Sequence, residues 1–256
     1  MPDVETLVYV FSVLELFSAL ISIVAYNKDI AAAYGKHSRE GNTVIDARLA
    51  WIIQEAPSFL IAFSVTNQAG FENIGYANKV IVGLFMAHYF FRSFIYPILI
   101  MNKNSKPFSV RVMLFGIIFT SMNGYAIANY EVFFGKLPDT WTSSLQFNAG
   151  VLIWLLGFSI NVHSDRILRN LRKPGDTDYK IPRGGAFEFV SGANYFGEIV
   201  EWWGLAIASG FHFPVTCFAL ATTGNIGTRS LAHHNYYKKK FKDYPLNRKA
   251  FIPFIM

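Results

Sequence analysis

Apolar runs of about twenty residues, separated by short polar stretches, recur from one end of the chain to the other. A helix rises about 1.5 Å per residue, so roughly 20 residues cross about 30 Å of hydrocarbon, and each run predicts a membrane-spanning helix. The windows fall near 5–26, 46–66, 77–100, 109–128, 145–168, 194–210 and 213–235. The first of them, TLVYVFSVLELFSALISIVAY, follows no basic stretch and precedes no small-residue cleavage site, so it reads as a retained helix and not as a signal peptide. The pattern predicts an all-α polytopic membrane protein with seven transmembrane helices in one domain, 1–256. Its one elaborate connection is the polar loop LRKPGDTDYKIPRGGAF.

Composition agrees: 52% of the residues are hydrophobic, 17% aromatic and only 16% charged, too apolar for an ordinary soluble domain of 256 residues. The net charge of +6 is no nucleic-acid footprint, because the basic residues lie in loops between apolar runs. They alternate. Lys28, Lys36 and Arg39 fall in the first loop, Lys103 and Lys106 in the third, and Arg169, Arg172, Lys173, Lys180 and Arg183 in or beside the fifth, while the tail carries Lys238, Lys239, Lys240, Lys242, Arg248 and Lys249. The second and fourth loops hold one basic residue each, Lys79 and Lys136. The positive-inside rule then puts the N-terminus outside, or lumenal, and the C-terminus in the cytosol. Cys217 is the only cysteine, and His233–His234 lacks the further ligands of a metal centre, so no metal site is expected.

Within the apolar runs, polar residues share helix faces. Gln54, Glu55 and Ser58 cluster within a turn beside Pro57, whose missing N–H frees the carbonyl of Ile53. His88, Arg92 and Tyr96 recur every fourth residue, with Tyr89 one turn from Arg92. Asn161, Asp165, Arg169 and Arg172 line the fifth helix, Asn194, Glu198 and Glu201 the sixth, and Arg229, His233 and Tyr236 or Tyr237 the seventh. Ionisable groups in a bilayer are costly and face protein or a cavity, so these stripes predict a polar interior opening to the cytosol. A single pair of such residues reads equally well as glue between helices. No GxGxxG follows a strand, so a dinucleotide would have to be held by basic and aromatic side chains at helix ends.

Several long stretches then match a known family: AYGKHS at 33–38, AWIIQEAPSF at 50–59, HYFFRSFIY at 88–96, GFSINVHSDRILRNLRKPG at 157–175, YKIPRGGAFEFVSGANYFGEIVEWWG at 179–204 and HHNYYKKKFKDYPLNRKAFIPFIM at 233–256. Over essentially its whole length the sequence resembles the membrane-bound steroid 5α-reductases, or 3-oxo-5α-steroid 4-dehydrogenases. The C-terminal part, about 109–256, resembles enoyl-CoA and polyprenal reductases as well. The resemblance implies an enzyme that uses NADPH, bound in the cytosolic cavity, to reduce the Δ4 double bond of a 3-oxosteroid arriving from the bilayer.

It further implies that Gln54, Glu55 and Tyr89 bind the substrate, with Glu55 and Tyr89 acting catalytically on the C3 carbonyl. Cofactor contacts implied position by position are Asn161, Asp165, Arg172, Tyr179, Asn194, Glu198, Arg229, His233 and Tyr237, with Tyr34, Arg92 and Tyr96. Where the family has a basic Arg-Pro pair, this chain has Lys106-Pro107, which keeps the charge and loses the bidentate fork. A monomer is expected, in the endoplasmic reticulum membrane of a eukaryote or the inner membrane of a bacterium. Two other readings stay open: a related enoyl-CoA or polyprenal reductase, and a non-catalytic seven-helix lipid-binding or receptor protein.

Overall fold

The computed structural model describes residues 3–28, 43–100, 107–171 and 179–256. Seven long helices occupy the expected positions: α1 (Val4–Asn27), α2 (Ala47–Ala69), α3 (Tyr76–Phe90), α4 (Val110–Asn129), α5 (Leu145–Asn170), α6 (Ala193–Ala208) and α7 (Phe213–Lys240). Their starts are encoded locally. Asp3 caps α1 by accepting from the Thr6 N–H at 2.7 Å, Asp46 caps α2 through the amides of Arg48 and Leu49, and Ser144 caps α5 through Phe147. Pro214 sits in the first turn of α7, where its missing N–H costs nothing. Pro57 is held inside α2.

Two helices run on in a wider π-helical winding, α3 through Phe91–Ile100 and α4 through Tyr130–Phe134. Among the described residues five helices are long and apolar enough to cross a membrane: α1, α2, α3 with its continuation, α4 with its continuation, and α5. With 16 residues α6 falls short on length, and α7 does not join them. The only named strands among the described residues, β1 (Val44–Ile45) and β2 (Phe108–Ser109), pair antiparallel and tie the start of α2 to the start of α4.

Glycines set the closest helix contacts. Gly150 and Gly157 on α5 face Gly204 and Gly197 on α6, the two helices running in opposite directions. A methyl group added at Gly157 would lie 2.6 Å from the Gly197 carbonyl oxygen, and one at Gly204 would lie 2.8 Å from that of Gly150. Such small residues let backbones approach where no hydrophobic effect drives association. On α4, Gly124 likewise meets the backbone of Ser58 on α2.

At the end of the bundle where α3 and α7 begin, Glu131 is fully enclosed. His212 Nδ1 lies 2.7 Å from one of its oxygens, and the Asn78 amide donates to the other at 2.7 Å. At the opposite end the C-terminal segment folds back. The amides of Ser191 and Gly192 donate to the carbonyls of Lys249 and Ala250, and the buried Arg248 donates to the carbonyl of Pro182 at 3.0 Å. This strap fixes the entry into α6, where the polar residues of that helix begin.

Candidate functional site

The polar stripes of α2, α3, α5 and α6 converge. On α2, the Gln54 amide donates to Glu55 Oε1 at 3.1 Å, and Gln54 itself is pressed against Gly116 of α4. Ser58, one turn on, donates to the Thr120 carbonyl at 2.7 Å, while the Thr120 hydroxyl donates to the Gln54 carbonyl at 2.6 Å. These reciprocal bonds satisfy polar groups that lipid could not, and they hold Glu55 at a fixed depth. Glu55 is half-buried, and its carboxylate is close enough to Tyr89, His88, Arg92 and Glu198 to act on each electrostatically.

Tyr89, from α3, is buried among Phe85, His88 and Trp202, with ring centroids 4.9, 5.1 and 5.9 Å away. Its hydroxyl oxygen accepts a 2.7 Å hydrogen bond from the Asn123 amide of α4. One residue earlier, His88 Nδ1 lies 2.7 Å from Glu201 Oε1 of α6, so this enclosed pair shares a proton. Arg92 lies in the π-helical continuation of α3. Its guanidinium sits over the rings of Trp51 at 4.9 Å and Tyr96 at 4.6 Å and donates to Asp165 Oδ2 at 3.2 Å. Such wider turns are frequent at functional sites.

Across from it, Asn161 and Asp165 of α5 meet the start of α6. The Asn161 amide donates to the Asn194 carbonyl at 2.9 Å, and the Asn194 side chain bonds to Asp165. Asn161 is only 1% exposed, yet its Oδ1 has no partner among the described residues; neither has the Ser164 hydroxyl. From α7, Arg229 acts on Tyr195 electrostatically, as do Asp165, Glu198 and Arg92. The His233 ring lies 6.1 Å from that of Tyr195 and 6.5 Å from that of Tyr237. Tyr237 stacks on Tyr244 of the C-terminal strap, and Tyr179 meets Tyr236 and Lys240.

Gln54, Glu55 and Tyr89 are therefore neighbours, and Arg92, Tyr96, Asn161, Asp165, Asn194, Glu198, Arg229, His233 and Tyr237 follow one another around the same interior. Tyr179 lies at its edge. Tyr34, Arg172 and Lys106 fall outside the described residues. The shared stripes divide on inspection: on α6, Asn194 turns to α5 while Glu201 turns to His88, and on α5 the exposed Arg169 leaves the cluster to donate to the Leu99 carbonyl.

Three residues escaped the sequence pattern. Asn123 is a lone amide in an apolar run; Trp51 gains its role only through Arg92; and Glu15 of α1 is 1% exposed with an unpartnered carboxyl oxygen. Only the rule that buried polar groups find partners singles them out in advance.

Residues 106–256 match the family described as 3-oxo-5-alpha-steroid 4-dehydrogenase. Among curated proteins the chain is 43% identical to 3-oxo-5-alpha-steroid 4-dehydrogenase 2 of Mus musculus and 41% identical to that of Homo sapiens, with 88% of both chains covered in each case. It is 42% identical to 3-oxo-5-alpha-steroid 4-dehydrogenase 1 of Rattus norvegicus, over 95% of this chain and 93% of that one.

Proposed function

The chain belongs to the 3-oxo-5-alpha-steroid 4-dehydrogenase family, a family of oxidoreductases, and on that premise we propose that it reduces the Δ4 double bond of 3-oxo-Δ4-steroids to 5α-reduced 3-oxosteroids at the expense of NADPH. The observation that carries the reading is that Glu55, held by Gln54 on α2, and Tyr89 of α3, held by Asn123 of α4, are two groups able to donate hydrogen bonds where α2, α3 and α4 meet.

NADPH, when bound, would supply a hydride to C5 of the steroid, and a proton added at C4 would complete the reduction. The negative charge that develops on the C3 oxygen as C5 is attacked needs donors already in place. The Tyr89 hydroxyl and a protonated Glu55 carboxyl supply them, in an apolar enclosure where such bonds are strong. Gln54 holds the Glu55 carboxyl in register.

The residues on the other side of the cluster fit a dinucleotide. The buried, unpartnered Oδ1 of Asn161 matches a carboxamide N–H, Asp165 and Glu198 match ribose hydroxyls, and Arg229 matches phosphate. Arg172, Tyr34, Tyr179, His233 and Tyr237 complete that set in our reading, with Arg92 and Tyr96 between cofactor and substrate. The substrate enters from the bilayer, the enzyme acts as a monomer in the endoplasmic reticulum membrane, and α6 and α7 also cross, with the N-terminus lumenal. Alternating helix directions and the odd-loop basic residues support this topology, which fails if tags before Met1 and after Met256 are cleaved from the same side.

The test of function is a substrate panel on purified protein: a Δ4-3-oxosteroid and a long-chain enoyl thioester, each with NADPH and with NADH. Steroid turnover with NADPH is expected. Turnover of the thioester alone would overturn the assignment, and an absence of dinucleotide binding would favour a receptor.

A further inference from the structure

The geometry points to Asn123 as a positioning residue that commits the Tyr89 hydroxyl hydrogen to the substrate. The inference rests on the reading of Tyr89 as a donor to the C3 oxygen. Asn123 is fully enclosed in α4, and its amide nitrogen is 2.7 Å from Tyr89 Oη. An amide nitrogen only donates, so this bond occupies a lone pair of the phenol and leaves the hydroxyl hydrogen to point elsewhere. A hydroxyl that accepts one hydrogen bond also becomes a stronger donor in the next.

The neighbourhood fixes this direction. Ser58 is also within hydrogen-bonding reach of Tyr89, but its own hydrogen is committed to the Thr120 carbonyl at 2.7 Å, so toward the phenol it can only accept. That leaves the Asn123 amide as the donor to Tyr89 Oη. Asn123 is followed directly by Gly124, where α4 touches the backbone of Ser58, so the amide is delivered at the depth at which α2 presents Glu55. With an apolar residue at 123 the phenol oxygen would lose its donor, and with it the strengthening of its own hydrogen as a donor to the substrate.

The test is a double-mutant cycle on the full-length protein in detergent, with single-turnover reduction of a Δ4-3-oxosteroid as the readout and NADPH affinity and thermal unfolding measured alongside. Asn123→Leu removes the donor at similar volume, and Asn123→Val removes it with less bulk. Each should lower the reduction rate about tenfold, the scale of one neutral hydrogen bond, with NADPH affinity unchanged. In a Tyr89→Phe background, where no hydroxyl remains to orient, the same substitutions should change the rate by less than about twofold. Equal losses in both backgrounds, or no loss in the native one, would overturn the role of Asn123. A fully active Tyr89→Phe enzyme would instead remove the premise that Tyr89 is the donor. Should Asn123→Leu fail to fold, Asn123→Val carries the same comparison.

Discussion

Arg92 and Asp165 meet inside the bundle at 3.2 Å, joining the continuation of α3 to α5, with the guanidinium resting on two aromatic rings. Neither side chain is well exposed, so removing one partner leaves the other charged in an enclosed place. Asp165→Asn is expected to cost about 3 kcal/mol, near the lower end for a broken buried pair, read as a fall in unfolding temperature in detergent. The double variant Arg92→Met/Asp165→Leu should be less damaging than the sum of its parts. A sum that is simply additive would mean the two charges are independent.

The glycine seam makes a prediction with an internal control. Gly157→Ala drives a methyl group into the α6 backbone, whereas Gly83 has nothing within 4 Å of the corresponding position. The first should destabilise by about 1–3 kcal/mol or more through overpacking; the second should be neutral or slightly stabilising, since alanine is the better helix former. Similar unfolding temperatures for the two variants would show that α5 and α6 are not in backbone contact.

Glu55 is the most direct handle on chemistry. Glu55→Gln keeps an N–H donor and should retain part of the activity. Glu55→Ala removes the donor and should cost about 2.7–4 kcal/mol of transition-state stabilisation, roughly 100- to 1000-fold in turnover. NADPH binding, measured in the same preparations, should survive both. Wild-type turnover by folded Glu55→Ala protein would reduce the carboxyl to structural glue.

Glu15 makes the opposite prediction. Its carboxyl is enclosed with one oxygen unpartnered, a cost that an apolar side chain of similar length avoids. Glu15→Met should raise stability by about 1–3 kcal/mol, with steroid turnover unchanged. A stable Glu15→Met protein that turned over steroid poorly would assign the carboxyl to the reaction.

The positions of all seven helices could be read from the apolar runs, because each run is a local property of its own residues, although α6 and α7 are not among the helices long and apolar enough to span a membrane. The stripes Gln54–Glu55, His88–Arg92–Tyr96 and Asn161–Asp165 were readable for the same reason: helical spacing fixes which residues share a face. Which face meets which is a tertiary fact. Nothing in the sequence separates Glu201, turned to His88, from Asn194, turned to Asp165, and nothing joins Asn123 to Tyr89, 34 positions apart. The seven-residue spacing of Gly150 with Gly157 and of Gly197 with Gly204 stood in plain view, but a glycine pair announces a close contact only once its partner helix is known.

During synthesis α5 emerges toward the bilayer before α6 does. Until then Gly150 and Gly157 expose a strip of bare backbone with no side chains to cover it. At 16 residues α6 is too short to insert readily alone, and it carries Glu198 and Glu201. Membrane entry of α6 is therefore expected to depend on its docking along that strip, so that insertion and packing are a single event. Glycosylation-site mapping during translation should find α6 inserted behind native α5 and left outside behind a Gly150→Leu/Gly157→Leu α5; equal insertion behind both would separate the two events. The glycines of α5 would then act at birth, as the template that lets a short, charged helix enter lipid at all.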